Sequence, residues 1–396
     1  MNIKTPLKIT AFQKEEVTEY KNYITIAIDL LFTDCTGRNK IGFWDPIDRR
    51  IIKKLDFIGG NLWKADKAIE YRYGPFALMG VLYCRLSNFK FARPYDTKVH
   101  EYLHFLISKI QKDGQLDADS SGWNHALVLT CLCLGYLNFK KEHPKEADRY
   151  LSNALKVYEY CSRVWKHDTI SNNHDLFLLW AYTWLYDALK SAQRYRECSQ
   201  IKKEIEIFAD WLCQIQDKKG IFQTGDPKAH FHQRMMYPLW GLGRAAKILD
   251  KKLYLSAIER TLDYVLCSRC EKDGAFIWYP PNMKNRIIAF LMPKASKNLF
   301  FECHQTFFVN SVEQYYVGNG TNNKYLADEI SAMNWIFKTN RRKVNLAREC
   351  NLGVPWRVMD SNGKIDIKGQ KFKGSYEVGS YIMALTDIIK RIEKKL

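Results

Sequence analysis

Helical segments of two kinds alternate along the chain, and this alternation is the feature that most limits its fold. Six segments are apolar on nearly every helical face: residues 75–86, 124–139, 174–189, 235–249, 306–317 and 380–389. The segments between them, at 94–112, 144–165, 195–216, 252–270 and 324–338, carry one apolar stripe opposite a charged face. A helix without a polar stripe is enclosed by other helices, whereas a striped helix faces water on one side. The pattern therefore predicts an inner set of helices packed inside an outer set.

The joints that lead from an outer to an inner segment resemble one another. Each has a polar run and a glycine followed by alternating residues, which predicts a tight turn entering a short strand or hairpin. These joints lie at 111–123, 216–231, 271–281 and 360–372. The inner segments recur about every 50 to 70 residues, as in stacked helical hairpins. With 14–32 as a sixth outer helix, we predict an all-α (α/α)6 toroid of six inner and six outer helices, with short β-hairpins in the connecting loops, as a single domain over residues 1–396.

The alternation, together with the Asp-Gly and Gly-x-Phe joints, resembles the six-hairpin toroid superfamily over roughly residues 14 to 392. That superfamily includes unsaturated-uronide hydrolases, many glycoside hydrolases, α/α-type polysaccharide lyases and glucuronyl epimerases. The resemblance therefore implies an enzyme that acts on carbohydrate. The sequence has no diagnostic motif of one member family. The same toroid also carries isoprenoid cyclases, protein prenyltransferase subunits and lanthionine cyclases, so the fold by itself does not select the chemistry.

The composition is that of a globular protein. Hydrophobic residues make up 46% and aromatic residues 14% of the chain, enough to bury a large core. No window approaches the ~18 uninterrupted apolar residues of a membrane span, and the first 20 residues have no apolar run of signal-peptide length. The 11 cysteines are scattered singly through apolar segments, as in a reducing compartment. We therefore expect a cytoplasmic protein without a membrane span.

The chain carries a large excess of positive charge. Lys and Arg number 61 against 43 Asp and Glu, which gives a formal net charge of +18. Such a field attracts an anionic partner, although lysine-rich outer faces also arise as ordinary solvated surface. Nucleic acid does not fit, because the sequence has no recognition motif, Gly-rich RNA-binding signature or concentrated basic arm. The expected partner is an anionic oligo- or polysaccharide, with the oligomeric state left open.

Histidines concentrate where the inner helices begin. Of the nine histidines, five lie at or just before the first turn of an inner segment: His125, His174, His230, His232 and His304. In a toroid these starts all reach one rim, so residues far apart in the chain converge around one cavity. A helix N-terminus disfavours imidazolium, which leaves such histidines neutral and able to act as bases or donors. The alternative for His125 or His174 alone is a core imidazole bonded to the backbone.

The residues beside these histidines are those that a sugar site uses. Aromatic rings stack on the CH faces of sugars, while amides and guanidinium groups bind hydroxyls and carboxylates. An Asn or Asp just before an inner helix is also an ordinary N-cap candidate. We predict substrate contacts from Trp123, Asn124, His125, His174, Asp175, Gln233, Arg234, Gln305, Tyr376 and Glu377.

The candidate reactions are hydrolysis, β-elimination and epimerisation. Next to a uronate carboxylate, elimination or epimerisation needs a base for the C5 proton and an amide or guanidinium group, such as Asn124 or Arg234, to stabilise the enolate. Hydrolysis needs two carboxyl groups across the sugar, or one that protonates the leaving oxygen. Glu302 suits the latter, because the apolar residues around it favour its protonated form. The predicted catalytic residues are His230, His232, Tyr237, Glu302 and His304.

Three other interpretations stay open. Cys303 and His304 resemble the zinc-binding Cys-His pair of lanthionine cyclases, but Gln305 stands where that family has glycine. Residues 116–120, with the sequence LDADS, partly resemble the acidic motif of class II isoprenoid cyclases. The third is a toroid that holds a glycan without turning it over. In the preferred interpretation we expect no metal and no cofactor.

Overall fold

The computed structural model describes residues 14–32, 74–116, 121–166, 170, 173–224, 236–267, 269, 275–276, 300–320, 323–339, 343–349, 358–359 and 375–394. Within these ranges, twelve α-helices alternate between outer and inner positions, and the predicted fold class is confirmed. Odd-numbered helices are outer and even-numbered helices are inner. In chain order they are α1 (Lys14–Phe32), α2 (Gly74–Leu86), α3 (Asp96–Ser108), α4 (Gly122–Phe139), α5 (Pro144–Val164), α6 (Leu178–Ser191), α7 (Tyr195–Gln214), α8 (Tyr237–Leu249), α9 (Lys252–Cys267), α10 (Glu302–Asn319), α11 (Leu326–Asn334) and α12 (Ser375–Lys394).

Shorter elements connect these helices. Two 3-10 turns precede α3 and α6, a π-helical turn extends α11, and two strands of two residues pair in antiparallel fashion. Their bounds are Lys90–Tyr95, Asn173–Phe177, Trp335–Thr339, β1 (Phe300–Phe301) and β2 (Val358–Met359), with a further helical turn at Leu346–Glu349. The prediction of a single domain over the whole chain stays a prediction.

Burial separates the two helix classes as the hydropathy pattern predicts. Every residue of α4 from 122 to 136 is buried, because neighbouring helices enclose it on all sides. In α5 the buried residues, such as Ala147, Tyr150 and Ala154, form one stripe against a charged face. Pro144 opens α5 at a first-turn position, where its missing N–H removes no intrahelical bond. Among the described residues, no helix is both long and apolar enough to cross a membrane.

The six inner helices form a closed ring. Each inner helix packs on the next one along the chain, and α12 packs on α2 to complete the circle. Glycines permit this last approach: a Cβ atom on Gly80 of α2 would lie 2.5 Å from the carbonyl oxygen of Gly379 in α12. Gly243 of α8 lies equally tightly against the backbone of Gln314 in α10. Small residues at these crossings therefore set how closely the inner helices approach.

Joints at the two faces of the toroid differ in length. Inner helices are followed by short joints, at 140–143, 192–194 and 250–251, whereas several outer helices are followed by long ones, at 33–73, 215–236 and 268–299. The long joints lead into the N-termini of the inner helices. We call that face the rim and the opposite ends of the inner helices the base. Because binding and catalytic residues concentrate on loops carried by a rigid scaffold, the rim is the face where a site is expected.

Two of the rim joints contain the predicted turns, but their hairpins are reduced to single bridges. Gly114 and Gly220 supply the positive φ angles, 93° and 87°, that these turns require. Each glycine also lies against a backbone carbonyl of an outer helix, that of Lys156 in α5 and that of Arg260 in α9, where a side chain has no room. The bridges pair Ile110 with Leu116 and Gln216 with Phe222.

Candidate active site

Aromatic rings from five inner repeats meet on the axis of the toroid. Phe76 of α2 lies 6.2 Å, between ring centroids, from Trp240 of α8, which stands on the opposite side of the ring. Trp123 of α4 lies 4.6 Å from Tyr237 of α8, two inner helices further round the ring. Phe307 of α10 lies 5.9 Å from Phe76. Rings from opposite helices can touch only if they fill the centre of the toroid. We call this layer of rings beneath the rim the aromatic floor; it consists of Phe76, Phe177, Trp240 and Phe307.

The floor lies just below the rim, because its rings come from the first two turns of the inner helices or from the residue before them. Phe177 precedes α6 and contacts both Trp123, at 4.8 Å, and Trp240, at 5.5 Å. Edge-to-face and tilted pairs predominate, the geometry that aromatic quadrupoles favour. The predicted site residues include none of Trp240, Phe76, Phe177 and Phe307. Each of these aromatic residues lies within two turns of a predicted inner-helix start, which is the signal that could have indicated them.

Three predicted site residues, Trp123, His174 and Tyr237, come together above this floor. The His174 ring lies 5.5 Å from Trp123 and 6.3 Å from Tyr237. His174 belongs to the 3-10 turn that leads into α6, and it is partly exposed, whereas Trp123 and Tyr237 are buried. His174 therefore provides the accessible surface of the cluster, with the two larger rings beneath it.

Asp175 joins this cluster by capping the helix of the preceding hairpin. The Trp123 backbone N–H donates to Asp175 Oδ1 at 2.9 Å, which satisfies one of the unpaired donors at the start of α4. The absence of a side chain at Gly122 makes room for the carboxylate, since a Cβ there would lie 2.8 Å from Asp175 Cγ. Asp175 is therefore an N-cap, as the N-cap alternative predicts. It caps α4 of the preceding hairpin rather than the helix that follows it in the chain.

The Trp123 indole carries a donor that nothing in the described part of the chain satisfies. Its Nε1 atom is buried and has no hydrogen-bond partner there. Buried polar atoms are nearly always hydrogen-bonded in folded proteins, and an exception calls for a water molecule or a ligand. Trp123 thus combines an apolar ring with a buried N–H group that has no partner in the described part of the chain.

His125 has a structural role and differs from the prediction that it contacts substrate. The Leu116 backbone N–H donates to His125 Nε2 at 3.0 Å, so Nε2 is the acceptor and Nδ1 carries the hydrogen. Nδ1 then donates to the Ser121 carbonyl at 2.8 Å. The ring is fully buried and stacks on Tyr160. His125 therefore fastens the joint before α4 to the helix, and we omit it from the proposed substrate contacts.

The opening turn of α10 places two further predicted residues at the rim. His304 and Gln305 are both buried, and Gln305 Oε1 accepts from the Phe276 backbone N–H at 3.4 Å. Just before this turn, β1 pairs with β2, which ties the joint before α10 to the segment after α11. Asn124, in the first turn of α4, is also buried. These residues share the rim with His174, and Gln305 in addition anchors a neighbouring joint.

The remaining predicted residues are described only in part. By backbone position, Glu302 begins α10, and Tyr376 and Glu377 lie in the first turn of α12, all at the rim; their side chains lie outside the described residues. The following predicted residues lie wholly outside them: His230, His232, Gln233 and Arg234, together with Asp117 and Asp119 of the LDADS segment.

The zinc alternative at Cys303 and His304 stays a prediction, because the side chain of Cys303 lies outside the described residues. Among the described residues, His, Cys, Asp and Glu side chains form no group of three or more that could hold a metal ion. Cys161, the thiol whose charge interacts with Asp175, is fully buried, and burial together with that carboxylate raises the thiol pKa well above its ordinary value. A thiol held in its neutral form is a poor nucleophile and a poor metal ligand.

Comparisons with known proteins agree with the architecture. No family model and no curated protein matches the chain. Cellulase Cel9M of C. cellulolyticum has a similar structure, with TM-score 0.60 and 13% identity over 94% of this chain and 98% of that one. Cellobiose 2-epimerase from Spirochaeta thermophila DSM 6192 aligns at TM-score 0.62 and 11% identity over 96% and 99% of the two chains. D-mannose isomerase aligns at TM-score 0.62 and 12% identity over 97% and 100%.

The predicted (α/α)6 toroid fold is thereby confirmed, without selection of one family. Identities this low show the fold alone, and the chemistry of a toroid resides in its rim residues.

Proposed function

We propose that the protein is a carbohydrate-active enzyme whose site lies at the rim of the inner helices. The observation that carries this proposal is the cluster of Trp123, His174 and Tyr237 over an aromatic floor, with an unpaired indole N–H. A sugar presents apolar CH faces and hydroxyl oxygens, which match aromatic rings and an unpaired donor respectively. The toroid neighbours named as a cellulase, a cellobiose 2-epimerase and a D-mannose isomerase support the same class.

Among the candidate reactions, proton transfer by histidine at a sugar carbon is our first choice. His174 precedes α6 and His304 lies in the first turn of α10, where the helix N-terminus favours the neutral imidazole that a general base requires. In epimerisation, a base removes the proton next to a carboxylate or carbonyl, and an acid returns a proton to the opposite face of the same carbon. In β-elimination, the same proton removal breaks the bond from the β-carbon to the glycosidic oxygen, which leaves with a proton. Asn124 or Arg234 stabilises the enolate in both reactions.

Hydrolysis is the second candidate. It requires two carboxyl groups, or one that stays protonated. Asp175 already accepts a hydrogen bond from the Trp123 backbone, which ties its carboxylate to the start of α4. Glu302, the first residue of α10, is then the acid that a hydrolytic mechanism would use, with Glu377 as a possible partner from α12.

An acidic substrate fits the charge of the chain. The formal net charge of +18 produces a positive field that raises the local concentration of polyanions and their association rate. We therefore propose an oligo- or polysaccharide that contains uronate units. The proposal predicts that turnover of such a substrate slows as ionic strength rises, because added salt screens this field.

Incubation with uronate-containing and neutral oligosaccharides in D2O tests the proposal. Epimerisation incorporates deuterium at the epimerised carbon, elimination yields an unsaturated uronide that absorbs in the ultraviolet, and hydrolysis yields a new reducing end without either signal. His174→Ala and His304→Ala should lower turnover by ~10²–10⁴-fold. His143→Ala is the matched control, since His143 is exposed in a joint at the base.

Other outcomes separate the alternatives. Equal turnover in the rim and control variants would place the reaction elsewhere. Binding of an oligosaccharide without any turnover would identify a glycan-binding toroid. If no oligosaccharide binds and an isoprenoid substrate turns over, the carbohydrate proposal is wrong.

A further inference from the structure

A row of buried polar contacts joins the fifth and sixth inner helices, α10 and α12. Near the rim, the hydroxyls of Thr306 and Ser380 lie 2.7 Å apart. One turn further along, Asn310 Nδ2 donates to the Ser380 carbonyl at 3.0 Å. Towards the base, Arg391 of α12 donates to Glu313 of α10. The relative position of these two helices is thus specified by polar groups along most of their length.

At the base end of this row, one guanidinium group serves two buried carboxyl groups. Arg391 donates to Glu313 and also to Glu329 of outer helix α11, and both glutamates are buried. The ring of Tyr316 lies 4.3 Å from the guanidinium carbon. One positive charge balances one carboxylate, so a second ionised carboxylate would be an uncompensated buried charge, which is costly in a low-dielectric interior.

The other charged groups near Glu313 do not supply the missing cation. Asp387 of α12 adds a further negative charge, and it accepts from Tyr83 of α2 at 2.7 Å and from Lys390 at 3.1 Å. On α8, Arg244 pairs with Asp187. On α9, Glu259 accepts from Tyr315 and Lys324 on another side of α10.

The electrostatic surroundings of Glu313 favour its protonated form. Burial raises the pKa of Glu313 well above its ordinary value, and the charge of Glu329 raises it further, while Arg391 opposes the shift. Burial also raises the pKa of Glu329, against the opposing effect of Arg391. A carboxyl pair that shares one proton and one guanidinium group is neutral overall.

We propose that Glu313, Glu329 and Arg391 form a proton-dependent latch. With one proton on the glutamate pair, the triad is neutral and holds α10, α11 and α12 together, and loss of that proton at higher pH loosens the junction of the fifth and sixth hairpins. At their rim ends α10 and α12 begin with Glu302 and Ser375, so a looser junction shifts one side of the rim against the other. Only this last consequence rests on the proposed function.

The direction of the pH effect follows from linkage. A carboxyl group whose pKa is raised by folding contributes stability that is complete below its unfolded pKa, about 4.3 for Glu, and is lost as pH rises through the folded pKa. The latch therefore weakens on the alkaline side, opposite to the usual behaviour of a carboxylate in an ion pair.

Thermal unfolding of the full chain from about pH 5.5 to about pH 9 tests the latch. Glu313→Gln keeps the size of the side chain and its ability to donate to Glu329 but cannot ionise. The melting temperature of this variant, relative to wild type, should rise by at least ~2 °C across the range.

Glu259→Gln is the matched control, because it changes the net charge by the same amount. Burial opposes the shift, but the hydrogen bonds from Tyr315 and Lys324 hold the pKa of Glu259 below its ordinary value. Glu259 is ionised across the whole range in both states, so its variant should differ from wild type by a constant amount. A constant difference for Glu313→Gln as well would overturn the proposal.

Hydrogen exchange of the wild-type chain provides a second measurement that needs no variant. After correction for the intrinsic exchange rate, protection in α10 and α12 should fall at high pH relative to α4, which lies elsewhere in the ring. Equal changes of protection in α4, α10 and α12 would contradict the latch, even if Glu313→Gln failed to fold. Glu329→Gln provides the same melting-temperature comparison for the partner carboxyl group.

Discussion

The rim and the base of the inner helices use polar residues in different ways. At the base, charged groups neutralise one another: Arg85 donates to Asp96 at 2.8 Å and to Glu142 at 2.7 Å, and Arg244 pairs with Asp187 while stacking on Trp184. At the rim, the polar groups are imidazoles, amides, an indole and the Asp175 carboxylate, which caps α4, beside aromatic rings. The joints are short at the base and long at the rim.

This difference separates stability from function. Ion pairs at the base neutralise charges and connect neighbouring helices. The rim retains the Trp123 N–H without a partner in the described part of the chain, an arrangement that costs stability unless a ligand or water fills it. The comparison predicts that base variants lose stability and that rim variants lose activity.

The largest loss of stability is expected for Arg391→Met at the base. Removal of the guanidinium leaves Glu313 and Glu329 buried with no cation, which costs about 3–5 kcal/mol of unfolding free energy. Lys324→Met is the control, since it breaks a partly exposed pair with Glu259 worth under about 1 kcal/mol. Denaturant unfolding measures both. Equal losses would mean that the base pairs are no more important than surface pairs.

His125→Ala should lower the free energy of unfolding by about 1–3 kcal/mol, because the Leu116 N–H and the Ser121 carbonyl would both lose a buried partner. Turnover per folded molecule should stay near the wild-type value. His174→Ala, one hairpin further along, should lose turnover, while its free energy of unfolding stays within about 1 kcal/mol of the wild-type value. Unchanged stability in His125→Ala would return that histidine to the list of substrate contacts.

Asp175→Ala should lower stability by about 0.5–2 kcal/mol, since α4 loses its N-cap. Asp175→Asn should retain most of that stability, because asparagine is as good a cap as aspartate. If Asp175 also acts in hydrolysis, the Asn variant will fold normally and lose turnover. Thermal melting and an activity assay on the same two proteins distinguish a cap from a catalytic acid.

The smallest expected effect is a change of oligosaccharide affinity in one of a matched pair of Trp→Phe variants. Trp123→Phe removes the unpaired N–H at the rim, and Trp180→Phe removes a similarly unpaired N–H from a fully buried ring in the first turn of α6. Oligosaccharide affinity should fall by about 0.5–1.5 kcal/mol in the first variant only. Calorimetric titration measures the difference, and equal affinities in the two variants would place the sugar away from Trp123.

Much of the fold follows from local sequence patterns. Helix class is visible because an enclosed helix needs apolar residues on every face, as in α4, and an outer helix needs only a stripe, as in α5. Helix starts follow from the same periodicity, which is why the rim positions of His174, His304 and Glu302 were predictable. Gly114 and Gly220 revealed their turns because positive φ angles favour glycine.

No local sequence pattern predicts which residues these side chains contact. Nothing in the local sequence distinguishes His125, held by Leu116 and Ser121, from His174, which reaches Trp123 and Tyr237. Both are histidines at an inner-helix start, but His125 is the fourth residue of α4, whereas His174 lies in the 3-10 turn that precedes α6.

Hydropathy patterns predict that inner and outer helices alternate and that polar residues gather at one rim. They do not predict that Asp175 caps the helix of another hairpin, that Phe76 and Trp240 meet across the axis, or that Arg391 donates to two glutamates. This is because hydropathy periodicity is a property of a single helix. Rotation and axial register arise from packing between helices distant in sequence, such as the close approach of Gly80 and Gly379.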